Sequence, residues 1–510
     1  MVSTALALGV TVAALAAVTA AGLLHSRGRV RTVEDYVSAR DSAGAGTTAA
    51  TLVASGMGAW VLFSPAEAGA AFGGLAAVVG YAVGSAVPLL LFVSVGPRLR
   101  EHFPRGHSLT EYVHARYGPA MYAYVLAVTV FYMFVFLAAE MTAVTGALGL
   151  VAGVPAWATA ATVGGFVLAY TGYGGLVASI FTDAVQTLVV LPLLVVSFGA
   201  VVLGLGGPAE IHRAVVATNP DLLDPTFLPG VAFGAYVVVA VTGANAFNQG
   251  QWQRVFAAED DAAVRRGFAL AAVAVVPMVL LAGLFGVAAA GLGLLDGAGA
   301  GASVSFFLAV SAALPEWASL AVVVLVVLLV ASTADTLFNA LASVVTADLP
   351  RVLDDPDERT LRRAARALTV AVAAGAVAVG AQGYSVLELF LLADLLGAAT
   401  FLPFLHGLYS PRATERGALA ASVAGLLVGL AYFPTLHGAL AGLPAVGPLL
   451  PGASFLRSFA GAAGVSGVVS AVAARATDRR FDLDALGAEV RSLDDRTAER
   501  AADGGREAER

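Results

Sequence analysis

The sequence predicts an all-α integral membrane protein with about thirteen transmembrane helices, and three observations carry that prediction. Of 510 residues, 59% are hydrophobic and only 12% are charged, about half the charged share of an ordinary soluble protein. Apolar runs near the ~20 residues that a helix needs to cross a hydrocarbon core recur thirteen times between charged or Gly/Pro-rich breaks. The runs are continuous Ala, Val, Leu and Gly, without the period-two alternation of an outer-membrane barrel.

The segments fall near residues 2–24, 48–68, 72–95, 120–148, 154–171, 180–204, 229–249, 267–292, 316–347, 366–384, 386–408, 417–433 and 453–474. The first reads as a retained helix and not a cleaved signal, because no basic segment precedes it and Arg27, Arg29 and Arg31 follow it. The chain has no Lys, so all 28 cations are Arg, and 26 of them lie in alternate loops and the tail. Only Arg213 and Arg457 fall on the other side. By the positive-inside rule the N-terminus is outside and the C-terminus inside. The expected organisation is a first helix (1–25), a cytoplasmic loop (26–47), five helices (48–204), five more (229–408), two additional helices (409–474) and a charged cytoplasmic tail (475–510), in a multi-pass protein of the plasma membrane.

Several functions are excluded at this stage. There is no Cys, so disulfides and thiolate metal sites are absent. Without Lys no Gly-Lys-Ser/Thr phosphate cradle exists, which argues against ATP-driven pumping. Seven scattered His form no metal spacing or catalytic constellation, so an enzyme is not expected. The expected partners are the lipid bilayer and a small-molecule solute, with no nucleic acid, and a monomer is expected to suffice.

The second span contains Ala54-Ser55-Gly56-Met57-Gly58-Ala59-Trp60 and then Ser64-Pro65-Ala66-Glu67, a run in which glycines and a proline loosen the helix. The seventh ends in Asn245-Ala246-Phe247-Asn248-Gln249-Gly250-Gln251-Trp252-Gln253-Arg254, an amide-rich cluster odd for a lipid-facing helix. Either alone reads as loose packing or a polar helix end. Together they lie five helices apart, so 48–204 and 229–408 read as inverted repeats 1 and 2, and paired interrupted helices point to a transporter's midplane site. The ninth span carries Ser332-Thr333 and Asp335 in a run of Val and Leu. Such hydroxyls often bond their own backbone, yet with carbonyls freed in span two they supply the oxygens that a hard cation needs.

Four acids sit in apolar sequence: Glu67, Glu140, Asp335 and Asp394. A carboxylate at membrane depth costs at least ~2.5 kcal/mol, so each must face a cavity or a partner. Glu140 is either a structural hydrogen bond between helices or a group that meets a cationic substrate or a proton. Glu67 belongs toward the outer vestibule, Asp335 near Thr333 supports a cation site electrostatically, and Asp394 reads as structural. Trp60 and Phe247 flank the breaks as gates. Together with Gly58, Glu140, Asn248 and Gln249 they are the candidate substrate contacts.

These segments, with Ala169-Tyr170-Thr171-Gly172-Tyr173-Gly174-Gly175-Leu176-Val177-Ala178-Ser179 and Thr182-Asp183-Ala184-Val185-Gln186, resemble the sodium:solute symporter family over roughly residues 30–475. The resemblance implies a leucine-transporter fold with a 5+5 inverted repeat. It also implies sodium-coupled symport, by alternating access, of a small organic solute such as proline, urea or a small carboxylate, the sodium ion being transported. It further implies a sodium site made of the carbonyls of Ala54, Met57 and Leu329 and the hydroxyls of Ser332 and Thr333. Asp183 matches a family aspartate on the sodium release path, while its position also suits an N-cap of span six. Gly56 replaces the aspartate of the proline transporters, and Gly250 replaces the aromatic residue of the sugar transporters, which counts against both solutes. Proton coupling through Glu140 or Glu67, and a sodium-independent facilitator or channel, remain the alternatives.

Overall fold

The structure is a computed structural model that describes residues 2–27, 39–295, 301–352, 358–443 and 447–488. Arg29, Arg31, the tail from residue 489 and the side chains of Tyr170 to Gly175 lie outside the described residues. Among the described residues the elements are all helices, and each of the thirteen expected segments falls mainly on helix, the second and seventh with a break. In order these are α1 (Thr4–Ser26), α2 (Ala45–Gly56), α3 (Ser64–Ala71), α4 (Gly74–His102), α5 (Leu109–Tyr117), α6 (Pro119–Ala152), α7 (Ala156–Gly204), α8 (Pro208–Thr218) and α9 (Leu228–Asn245). They continue with α10 (Gln249–Ala257), α11 (Asp261–Gly291), α12 (Ser305–Ala313), α13 (Glu316–Val352), α14 (Glu358–Gly380), α15 (Val386–Tyr409), α16 (Glu415–Tyr432), α17 (Pro434–Ala441) and α18 (Phe455–Arg475).

Among the described residues nine helices are long and apolar enough to cross a membrane, ten if the bent pair α2–α3 counts as one span. Two of the expected segments differ in a way the helices make plain. In α14 the first turns carry Arg359, Arg362, Arg363 and Arg366, leaving only Ala367–Gly380 apolar. The loop expected between spans five and six is helical instead, because α7 runs unbroken for 49 residues. Its glycines each weaken a helix by only about 1 kcal/mol and do not end it. At 1.5 Å per residue that is about 73 Å, more than twice the ~30 Å hydrocarbon core.

Packing is inside-out relative to a soluble protein. Leu188, Leu203, Leu228 and Val273 face outward with more than two thirds of their surface exposed, as lipid-facing residues do. Trp157 and Trp317 stand exposed at the first turns of α7 and α13, the position of an interfacial aromatic anchor. Polar groups turn inward. Arg116, 3% exposed, donates to the carbonyls of Gly407, Ser410 and Ala413 and so satisfies the end of α15. Helices α9 and α15 pack so closely at Gly243 that a Cβ there would meet the backbone of Gly397 and Ala398. Small residues at a helix crossing permit that approach, and it sets the end of α9 against the middle of α15.

Candidate functional site

The first break is held open by a carboxylate. Helix α2 stops at Gly56, Met57 leaves helical geometry (φ −96°, ψ 75°) and Gly58 is extended, before a single 3-10 turn at Ala59–Leu62 leads into α3. The two halves meet at 65°. In a continued helix the amides of Ala59 and Trp60 would close on Ser55 and Gly56. Instead they donate to Glu140 of α6, Ala59 N to Oε2 at 2.8 Å and Trp60 N to Oε1 at 3.4 Å, and the Trp60 indole takes the Gly56 carbonyl at 2.9 Å. Glu140 is fully buried. A Cβ on residue 58 would run into its carboxylate, so any larger residue there would have to push Glu140 aside.

The second break, Ala246–Asn248, separates α9 from α10. It closes on short turns, with Phe247 N on Ala244 O at 2.9 Å and Asn248 N on Asn245 O at 3.2 Å. Its amides are ordered in a relay. Asn245 Nδ2 donates to Val241 O at 2.8 Å, so Asn245 Oδ1 is the acceptor for Gln251 Nε2 at 2.5 Å. That leaves Gln251 Oε1, like Asn248 Oδ1, buried without a hydrogen-bond partner.

Between the breaks lies a cavity of about 60 Å3. Trp60, Tyr81, Tyr132, Phe136 and Phe390 form its aromatic wall, and Asn248, Gln251 and Asp394 its polar one. The rings interlock edge to face, Trp60 with Tyr81 and Phe390 at 6.1 and 5.9 Å and Phe136 with Phe390 at 5.0 Å.

A second, smaller cavity lies between α2, α7 and α13, bounded by Ala54, Met57, Leu329 and Ser332 together with Gln186 and Thr187. Behind it Asp183 is fully buried at the centre of a network. It accepts from Ser332 Oγ at 2.5 Å, Thr51 Oγ1 at 2.6 Å and Arg254 Nη2 at 2.8 Å. Arg254, 1% exposed, also reaches Thr51 Oγ1, Thr336 Oγ1 and Gly250 O. Since α7 runs unbroken from Ala156, Asp183 sits deep within it and is no N-cap. With its proton committed to Asp183, the Ser332 hydroxyl keeps its lone pairs for another partner.

Four of the five residues implied for sodium therefore meet at one cavity. Thr333 is buried with its hydroxyl unbonded, but it is not part of that wall. Of the expected substrate contacts, Trp60 and Asn248 line the larger cavity and Gly58 and Glu140 form the break beside it. Phe247 and Gln249 do not belong to the cavity wall. Phe247 packs on Phe404 at 5.8 Å. Gln249 accepts from Leu109 N at 3.0 Å and donates to His107 O at 2.9 Å, tying the second break to α5. Glu67 accepts from Ser385 Oγ at 2.8 and 3.0 Å and joins α3 to the cap of α15, while Asp335 accepts from Asn339 one turn on at 3.1 Å. Asp394, read from sequence as structural, is in the cavity wall. Apart from Trp60, the aromatic wall was missed, and so was Arg254. Only the Phe-Asn-Gln and Gln-Arg pairs of the amide-rich cluster hinted at Arg254.

Two broken helices meeting around an inner cavity, inside a shell of apolar helices, define a secondary transporter. A model of the sodium:solute symporter family matches residues 36–425, and the chain belongs to that family. The chain is 28% identical to the spermidine transporter DUR31 of Candida albicans over 72% of this chain and 68% of that protein. It is 27% identical to the probable urea active transporter 1 of Schizosaccharomyces pombe, over 32% of this chain and 25% of that one. Among solved structures, a Na+-coupled sialic acid symporter superposes with a TM-score of 0.73 at 16% identity, over 92% of this chain and 98% of that one. A nucleobase-cation-symport-1 family transporter superposes with a TM-score of 0.57 at 14% identity, over 89% and 98%. These likenesses identify the fold as that of the leucine-transporter type, and the chain as a multi-pass membrane transporter and not an enzyme.

Proposed function

We propose that the protein is a sodium-coupled symporter of a small organic solute, working by alternating access in the plasma membrane with its N-terminus outside. Sodium binds the carbonyls of Ala54, Met57 and Leu329 and the Ser332 hydroxyl, with Thr333 joining once α13 adjusts. The observation that carries this reading is the cavity shared by α2, α7 and α13, where Ser332 is oriented by its bond to Asp183. A cation there ties α2 to α13 and favours one arrangement of the 48–204 and 229–408 repeats. Coupling requires that the solute favour the same arrangement. The solute binds between the breaks, in the cavity walled by Trp60 and Asn248. The chain's relatives, named as spermidine and urea transporters, support a small nitrogenous compound.

The test is uptake of labelled amines, urea, amino acids and carboxylates into proteoliposomes with and without an inward sodium gradient. Sodium-driven accumulation in the wild type, lost in Ser332→Ala/Thr333→Ala, is the expected result. Accumulation indifferent to sodium and to the double substitution would overturn the sodium site and transfer coupling to protons.

A further inference from the structure

The larger cavity is built from parts that do not match. Asp394 is 4% exposed, and among the described residues it has no hydrogen bond and no ion pair. No Arg or His lines the cavity, and the chain has no Lys to supply the missing charge. A buried carboxylate is costly unless something pairs with it. Phe390, one helical turn before Asp394 on the same face of α15, presents the ring that closes against Trp60 and Phe136. Aromatic walls attract cations through the negative faces of their rings, and Asn248 Oδ1 and Gln251 Oε1 add two buried acceptors without donors. The acceptors that the cavity leaves unmatched call for hydrogen-bond donors, and the carboxylate among them for a positive charge.

The opposite charge is already provided for. The start of the half-helix after a transporter's break is where backbone amides and the helix dipole receive an anionic group of the solute. In this chain Glu140 fills that position, holding the amides of Ala59 and Trp60. A solute carboxylate therefore finds its natural donors taken and meets Asp394 instead.

We propose that the transported solute is an organic ammonium ion without a carboxylate, its nitrogen held by Asp394 and the oxygens of Asn248 and Gln251 against the aromatic wall. The proposal rests on the reading of this cavity as the solute site, and it adds the solute's charge. A cavity of about 60 Å3 holds on the order of four or five water-sized spheres, which suits an ammonium group with a few methylenes. A longer amine would extend beyond it.

The experiment separates charge from shape. Binding to the full chain in detergent is measured by calorimetry for n-butylammonium, tetramethylammonium and 1,4-diaminobutane, and for n-butanol and butyrate as neutral and anionic matches, with and without sodium. Asp394→Asn and Asp394→Glu follow, checked for monodispersity and melting temperature. The expected result is that at least one ammonium probe binds roughly 30-fold or more tighter than butanol, that butyrate does not bind, and that Asp394→Asn loses roughly 30-fold or more while Asp394→Glu recovers part of it. A wild type that binds no ammonium probe, or binds butanol equally well, overturns the proposal without need of any variant. So does an Asp394→Asn protein that binds ammonium as the wild type does. Ammonium binding lost in Asp394→Asn but indifferent to sodium leaves this inference standing and removes the sodium coupling. Sodium-driven accumulation of a neutral solute, untouched by Asp394→Asn, does the reverse.

Discussion

Two buried aspartates stand on either side of α2 and live under opposite conditions. Asp183 receives two hydroxyls and a guanidinium, so both oxygens of its carboxylate are engaged within the protein. Asp394, among the described residues, has no hydrogen bond and no ion pair. The first arrangement builds rigidity, since Thr51, Arg254 and Ser332 belong to three different helices that the carboxylate locks together. The second stores an unmet demand beside an aromatic wall. A transporter needs both kinds of group, one to hold the ion side in a defined shape and one to make an incoming solute worth binding.

The comparison breaks most easily at Arg254. Removing one member of a buried pair strands the other, so Arg254→Ala is expected to destabilise the protein by about 3 to 5 kcal/mol, read as a large fall in melting temperature by fluorescence-detected size exclusion. Gly58→Ala comes next. Its methyl group would displace the Glu140 carboxylate, at a cost of about 1 to 3 kcal/mol, with solute binding weakened while the network at Asp183 stays intact. Asp394→Asn carries the opposite sign. Replacing an unpaired buried carboxylate by a neutral amide should raise stability by about 1 to 2 kcal/mol while weakening solute binding, and a fall in melting temperature would show that Asp394 has a partner after all. Gln249→Ala, which loosens α5 from the second break, is expected to cost about 1 kcal/mol and to leave ammonium binding near the wild-type value.

Much of this was legible beforehand, for physical reasons that also mark where legibility ended. Hydropathy locates helices because every spanning segment must satisfy its own backbone in lipid, and the expected segments fall mainly on helix, nine or ten of them long and apolar enough to span among the described residues. The breaks were visible because Gly56, Gly58 and the Asn245–Gln251 amides are poor choices for a continuous lipid-facing helix. The residues around the smaller cavity came through a resemblance of motifs, and four of them meet in space. Azimuth was not legible. Helices such as α6 and α15 are apolar on all sides, so no period shows that Tyr132, Phe136, Phe390 and Asp394 share one wall. The same blindness put Phe247 and Gln249 in the cavity when their helix register turns them toward Phe404 and α5. The long α7 is not legible because glycines that merely weaken a helix look, in sequence, like its end.

The carboxylate of Glu140 at the first break has one further consequence, for timing. A discontinuous helix whose loose amides waited for cargo would re-form whenever the carrier was empty, and each delivery would begin by unwinding it. Here a side chain from a neighbouring helix keeps the joint splinted, so its shape is decided once, as the polypeptide folds. In the alternating-access cycle proposed above, the empty carrier would then swing back with the same joint it used when loaded, without rewinding α2 into α3.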